Sequence, residues 1–301
     1  MLELFSHEFV QNAFIAGTIV AIVAACVGYF VVLRSQTFAS EALSDISFAG
    51  ATGAVVLGIS SLFGMLIFSF ISALGMGALG ERIRGRDVEI GMILSFALGL
   101  GVLFVTIYNR TGSANANVGI GILFGSILSV QRSDVIVTLL CSTLLILLLT
   151  ILFRPLLFAS IDPEVARTRG VPVRFLSTVF LLILSATISV SILVVGVLLI
   201  IALLIAPAAT ALRLTNHPGT SIGLAILLSL VCTWSGLTLA FTGTFGKYLP
   251  VGFYIVALAT GLYFVSVIMS RLGIIRAPKR AQPLKRCTGC TDREEIGVPT
   301  Y

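Results

Sequence analysis

The 301-residue sequence predicts an all-α fold, a polytopic membrane bundle of about eight or nine transmembrane helices. Two observations carry this expectation. Fifty-seven per cent of the residues are apolar and only 11% are charged, against roughly 25% charge in a soluble domain, and the mean hydropathy is +1.11. The apolar residues are also gathered into runs of about 20, the length an α-helix needs to cross the hydrocarbon core of a bilayer. No stretch between the runs is long enough for a second globular domain, so a nucleotide-hydrolysing or receptor module would have to come from another chain.

The first run, 11–33, has no Lys or Arg ahead of it, lacks the basic opening of a secretory signal and reads as a retained span. Further spans are expected near 42–58, 59–79, 90–108, 135–158, 175–194, 195–213, 219–242 and 250–270. In the second, the small residues Gly50, Ala51, Thr52, Gly53 and Ala54 suit either close helix packing or a broken, re-entrant segment. The piece 118–130 is apolar but too short to cross, and polar runs flank it; it reads as a half-helix at the outer face. Between spans, Asp162 and Pro163 make a good helix start and Gly170 a good stop. Pro207 interrupts the bond ladder within a span, which makes the stretch from Gly196 to Ala211 a candidate hinge or, equally, an ordinary kink. Residues 1–274 thus form a transmembrane domain, and 275–301, rich in Pro, basic residues and acids, a flexible tail in water.

Orientation follows from the cations. With the N-terminus outside, Arg34, Arg82, Arg84, Arg86, Arg154, Arg167, Arg169, Arg174, Arg213 and the basic tail all lie in the cytoplasm, and Arg110, Arg132 and Lys247 remain outside. The net charge of +6 is therefore topological and implies no nucleic acid partner. Cys26, Cys141 and Cys232 stand singly in apolar runs as small hydrophobes. Cys287 and Cys290 form a lone C-x-x-C, short of the four ligands of a structural zinc site. No H-E-x-x-H or phosphate-loop pattern is present, which disfavours an intramembrane enzyme.

Eleven of the thirteen acids fall at the termini or between spans; Glu41 and Asp45 do not. Four residues apart, they share one face of a helix and can hold one cation between them. The alternative is a solvated acidic face on a loop helix. Carboxylate oxygens suit manganese, iron(II) or magnesium, with Ser44, Ser47 or backbone carbonyls as further oxygen donors. A stand-alone secondary transporter or channel, using the pair as a cation or proton relay, would need the same two residues.

The run FVVLRSQTFASEALSDISFAGATGA at 30–54 resembles the end of the first span and the second span in permeases of metal-ion (manganese, zinc or iron) ABC importers of the ABC-3 type. RGRDVEIGMILSFALGLGVL from Arg84, ILFGSILSV from Ile122, IDPEVARTRGVPV from Ile161, VGVLLIIALLIAPAATALRL from Val195 and LPVGFYIVALATG from Leu249 follow in the family's order. Several of these runs also resemble the related cobalamin and siderophore importer permeases, which implies a type II ABC importer permease fold. The resemblance implies a bacterial plasma (inner) membrane permease that imports a divalent metal by alternating access. It would work as a homodimer with two ATPase subunits, which bind ATP, and an extracytoplasmic metal-binding protein; the chain itself would hold no cofactor. Glu41 and Asp45 would line the metal pathway, and Asp162, Glu164, Arg167, Arg169 and Gly170 would form the coupling segment that docks on the ATPase. Family members often carry His at the place of Asp45 and Pro at that of Ala49, a departure that turns the reading from zinc toward manganese or iron.

Overall fold

The computed structural model describes residues 8–79, 86–110, 121–123, 125, 130–215, 217–242 and 251–272. Ten helices are named among them: α1 Glu8–Leu33, α2 Thr37–Val56, α3 Ser61–Leu79, α4 Arg86–Arg110, α5 Arg132–Ile161, α6 Pro163–Thr168, α7 Val173–Val195, α8 Val197–Leu214, α9 Pro218–Thr242 and α10 Val251–Arg271. Eight, all but α2 and α6, are long and apolar enough to cross a membrane. The expected all-α membrane bundle is what the chain forms.

The helices differ in what surrounds them, and their sequences differ accordingly. α1 and α7 run through the middle, so most of their surface is buried; α1 carries many Ala and Val residues and α7 many Leu, Val and Ser, rather than a one-sided apolar stripe. α3, α4, α5, α9 and α10 present Leu, Ile and Phe outward, as in Phe96, Ile151 and Phe264, where lipid or another apolar surface can meet them. α2 is the exception: it is less apolar than α3, α7 and α8, yet 14 of its residues are buried, because α3, α4, α7 and α8 shelter it. At about 1.5 Å per residue its 20 residues reach about 30 Å, the thickness of a hydrocarbon core.

The expected span at 42–58 therefore begins earlier, at Thr37, and is unbroken. α1 closes in a tight turn in which Ser35 takes φ 54° and the Gln36 N–H donates to the Val31 carbonyl at 2.9 Å, so α2 starts immediately. It ends at Gly58 (φ 71°), with the Ile59 and Gly58 N–H groups donating to Ala54 and Val55 in a Schellman closure. Its small residues serve close packing: a Cβ on Gly50 would lie 2.5 Å from the Gly64 carbonyl oxygen of α3, and one on Gly64 would overlap the Gly50 carbonyl in return.

α5 opens with a capping box between Gln131 and Asp134 and continues through Pro155 to Ile161. A glycine, Gly196 (φ 90°), separates α7 from α8. Of the expected half-helix at 118–130, residues 121–123 are helical and most of the rest lies outside the described residues. The tail at 275–301, with Cys287 and Cys290, lies wholly outside them.

Candidate functional site

Glu41 and Asp45 both lie on α2, one turn apart and about 6 Å along its axis. Glu41 is exposed and Asp45 is half-buried. Among the described residues no group of three or more His, Cys, Asp or Glu side chains gathers, so further ligands for a cation held here would be hydroxyls, carbonyls, water or groups from another chain.

α4 lies along the flank of α2 that carries Asp45. Added Cβ atoms on Gly91, Gly101 and Gly53 would meet Phe38, Phe48 and Phe104 respectively, which puts the two helices in parallel register with Asp45 between the Phe38 and Phe48 levels. Between α2, α3 and α4 a cavity of about 280 Å³ is lined by Ile46, Ala49, Phe68, Ile93, Phe96 and Leu100 among others. It is apolar, neither carboxylate lines it, and it offers a cation nothing in exchange for its hydration.

The back of α2 is polar in a different way. Ser47 lies two residues beyond Asp45, about 200° round the helix. Its Oγ donates to the Leu43 carbonyl at 2.8 Å and is 3.3 Å from Ser189 Oγ of α7, which is in turn 2.9 Å from Ser69 Oγ of α3. All three serines are fully buried. Ser47 thus faces the core and not the acidic pair, a correction to its suggested role as a ligand. Ser44 is also buried, and its hydroxyl makes no hydrogen bond among the described residues. Isolated serines at 47, 69 and 189 inside apolar runs were the signal for this cluster, but spacing along one chain does not say that they meet.

The expected coupling segment has the local form its residues predict. Asp162 is N-cap of α6, its Oδ1 accepting from the Glu164 and Val165 N–H groups at 3.1 and 3.0 Å, and Pro163 takes the first helical position. Gly170 (φ 80°) closes the helix: its N–H donates to Arg167, and the Val171 N–H to Ala166, in a Schellman motif. Ala166 is fully buried and anchors the helix, while Glu164, Arg167 and Arg169 point outward. α6 packs chiefly against α5 and α7.

Gly196 and Pro207 also differ from each other. Gly196 breaks the chain between α7 and α8, and a Cβ on Gly125 would run into the Val195 carbonyl beside it, so Gly125 abuts that break. Pro207 is buried inside α8, which continues past it to Leu214. At the bundle end shared by the starts of α1 and α5, Arg132 pairs with Glu8 at 2.9 Å, both side chains being exposed. Arg213 packs over the Tyr263 ring near the end of α8.

Comparison with known proteins agrees with this architecture. The ABC 3 transport family model matches residues 6–270. The manganese transport system membrane protein MntC of Halalkalibacterium halodurans is 31% identical over 236 residues, 78% of this chain and 80% of that protein. The structure of PsaBC from Streptococcus pneumoniae in complex with Fab is 29% identical, with TM-score 0.78 over 92% of this chain and 94% of its own. A metal-chelate type ABC transporter in an inward-facing conformation shares the fold at TM-score 0.69 and 16% identity, over 86% of this chain and 85% of its own. With a polytopic bundle in place and a family model spanning nearly all of it, the chain belongs to the ABC 3 transport family and is a multi-pass membrane permease of an ABC transporter.

Proposed function

We propose that this permease imports a divalent transition metal, manganese or iron(II), and that Glu41 and Asp45 are the pair that carries the ion through it. The observation that carries the reading is the position of two carboxylates on one face of a helix sheltered by four others. A cation entering a low-dielectric region gives up hydration worth far more than thermal energy, and fixed negative charge with oxygen donors offsets that loss. The donors are hard, as manganese and iron(II) prefer, and the MntC relative is named for manganese transport.

Two copies of the chain would line a path at their symmetry axis, with two ATPase subunits below and an extracytoplasmic binding protein above delivering metal. The α6 segment, exposed except for Ala166, would dock on the ATPase through Glu164, Arg167 and Arg169, with Asp162 and Gly170 holding its shape. α7 begins three residues after Gly170 and ends at Gly196, so a shift at the docking site reaches the α7–α8 break along a single rigid helix. Pro207 is the second candidate pivot along α8.

Counting α2 as a ninth span, the N-terminus is outside and the tail at 275–301 in the cytoplasm of a bacterial plasma membrane. Support comes from the cations: Arg34, Arg154, Arg167, Arg169, Arg174, Arg213 and Arg271 all belong to the ends of helices that face the α6 side in this arrangement.

The test is manganese(II) uptake into proteoliposomes containing the assembled transporter. Asp45→Asn retains size and polarity, and uptake should fall at least tenfold while assembly with the ATPase persists. Asp45→His should be milder and should shift preference toward zinc. Uptake at the parental rate in Asp45→Asn would mean that the pair is a solvated helix face and the site assignment is wrong.

A further inference from the structure

We propose that Ser189 of α7 is a positioning residue for the acidic pair: through Ser47 it fixes the rotation of α2 that turns Glu41 and Asp45 away from α7. The inference rests on the reading of that pair as the metal site.

The first observation is that apolar burial leaves the rotation of α2 under-determined. Its buried residues, mostly Ala, Ser and Gly, lie on nearly every side, and small side chains in a close-packed surround distinguish one rotation from another only weakly. A directional contact is needed, and the serine cluster supplies one. Ser47 is about 200° from Asp45 and about 240° from Glu41 round the helix, so drawing Ser47 inward points both carboxylates away from α7.

The second observation is the proton count. Each hydroxyl has one proton. Ser47 gives its proton to the Leu43 carbonyl, so the 3.3 Å contact between Ser47 and Ser189 is a hydrogen bond only with Ser189 as donor. Ser69, at 2.9 Å, then donates to Ser189 in preference to its own Leu66 carbonyl at 3.3 Å. The bonds run one way, from α3 through Ser189 to α2, and Ser189 alone both accepts from one helix and donates to another. Such chains strengthen one another in a dry interior.

The same count makes the proposal separable from folding. In Ser189→Ala, Ser47 keeps its bond to Leu43 and Ser69 falls back on Leu66, so no buried hydroxyl loses its last partner. What disappears is the tie between helices.

The experiment uses the complete transporter in proteoliposomes, with manganese(II) as the probe. Ser189→Ala should raise the manganese concentration for half-maximal uptake at least threefold, with assembly unimpaired. In a background where the five native cysteines are replaced, Glu41→Cys should react with a water-soluble maleimide at a rate changed at least threefold by Ser189→Ala. Ser229→Ala, which removes an equally buried hydroxyl from α9, is the control and should change neither quantity. Should Ser189→Ala assemble poorly, the triple replacement of Ser47, Ser69 and Ser189 by Ala leaves no hydroxyl of the cluster behind and should give the same two shifts. An unchanged half-maximal concentration overturns the proposal, whether or not the labelling rate moves, and so does a loss confined to the amount of assembled complex. Failure here alongside an inactive Asp45→Asn removes only the positioning role, whereas parental uptake in Asp45→Asn removes the site itself.

Discussion

Replacing Gly50 by Ala should destabilise the bundle, although alanine is the better helix former. A Cβ at residue 50 would lie 2.5 Å from the Gly64 carbonyl oxygen, 3.0 Å from its carbon and 2.8 Å from Phe68 Cβ, where ordinary contacts fall near 3.5 Å. Two of these atoms are α3 backbone, so relief requires α2 and α3 to part by about 1 Å at the crossing, not a side chain to swing aside. Overpacking of this kind costs ~1–3 kcal/mol, and a backbone obstacle belongs at the upper end. The propensity gain of Ala over Gly returns ~0.5–1 kcal/mol. The net is a loss of ~2 kcal/mol, or ~30-fold in the folding equilibrium. The assay is unfolding of the purified permease in mixed micelles by titration with a denaturing detergent. Gly75→Ala is the internal contrast: the residue is exposed on α3 with no atom within 4 Å of the new Cβ, so that variant should gain the propensity term alone. If Gly50→Ala is as stable as the parent or more so, the α2–α3 crossing is not glycine-limited and the argument for the tight seating of α2 fails.

Gly170→Val forces a β-branched residue into φ 80° at the stop of α6, at a cost of ~1–3 kcal/mol. Metal-stimulated ATPase activity of the complex should fall, and Gly170→Asn should recover most of it; normal coupling in the Val variant would make α6 a plain connector. Asp162→Ala removes the cap that two backbone N–H groups use and should weaken the same helix by ~1 kcal/mol, seen as faster proteolysis at 163–171. Cys290 in intact cells should resist a membrane-impermeant thiol reagent until the cells are opened; ready labelling would invert the proposed topology.

Sequence alone determined the class and most of the spans, because both rest on one-dimensional quantities. A bilayer demands runs of about 20 apolar residues, and those runs can be counted along the chain. It also determined the α6 segment nearly atom by atom, since caps and Schellman closures are local: Asp162, Pro163 and Gly170 act within a few residues of where they stand. Glu41 and Asp45 stood out because acids inside a membrane protein are few, and the helical period put them on one face. What the tertiary structure decided was everything set by neighbours distant in sequence. α2 tolerates its low hydropathy because α3, α4, α7 and α8 enclose it, and no window along the chain contains that shelter. The small residues near Gly50 were compatible with a broken helix until the Gly64 backbone was found against them. The serines at 47, 69 and 189 meet across 142 positions of sequence, and a hydroxyl's direction depends on the helix opposite it. Local chemistry is written in adjacent residues, whereas close packing and buried hydrogen bonds are properties of pairs of surfaces, and only the folded chain brings the pairs together.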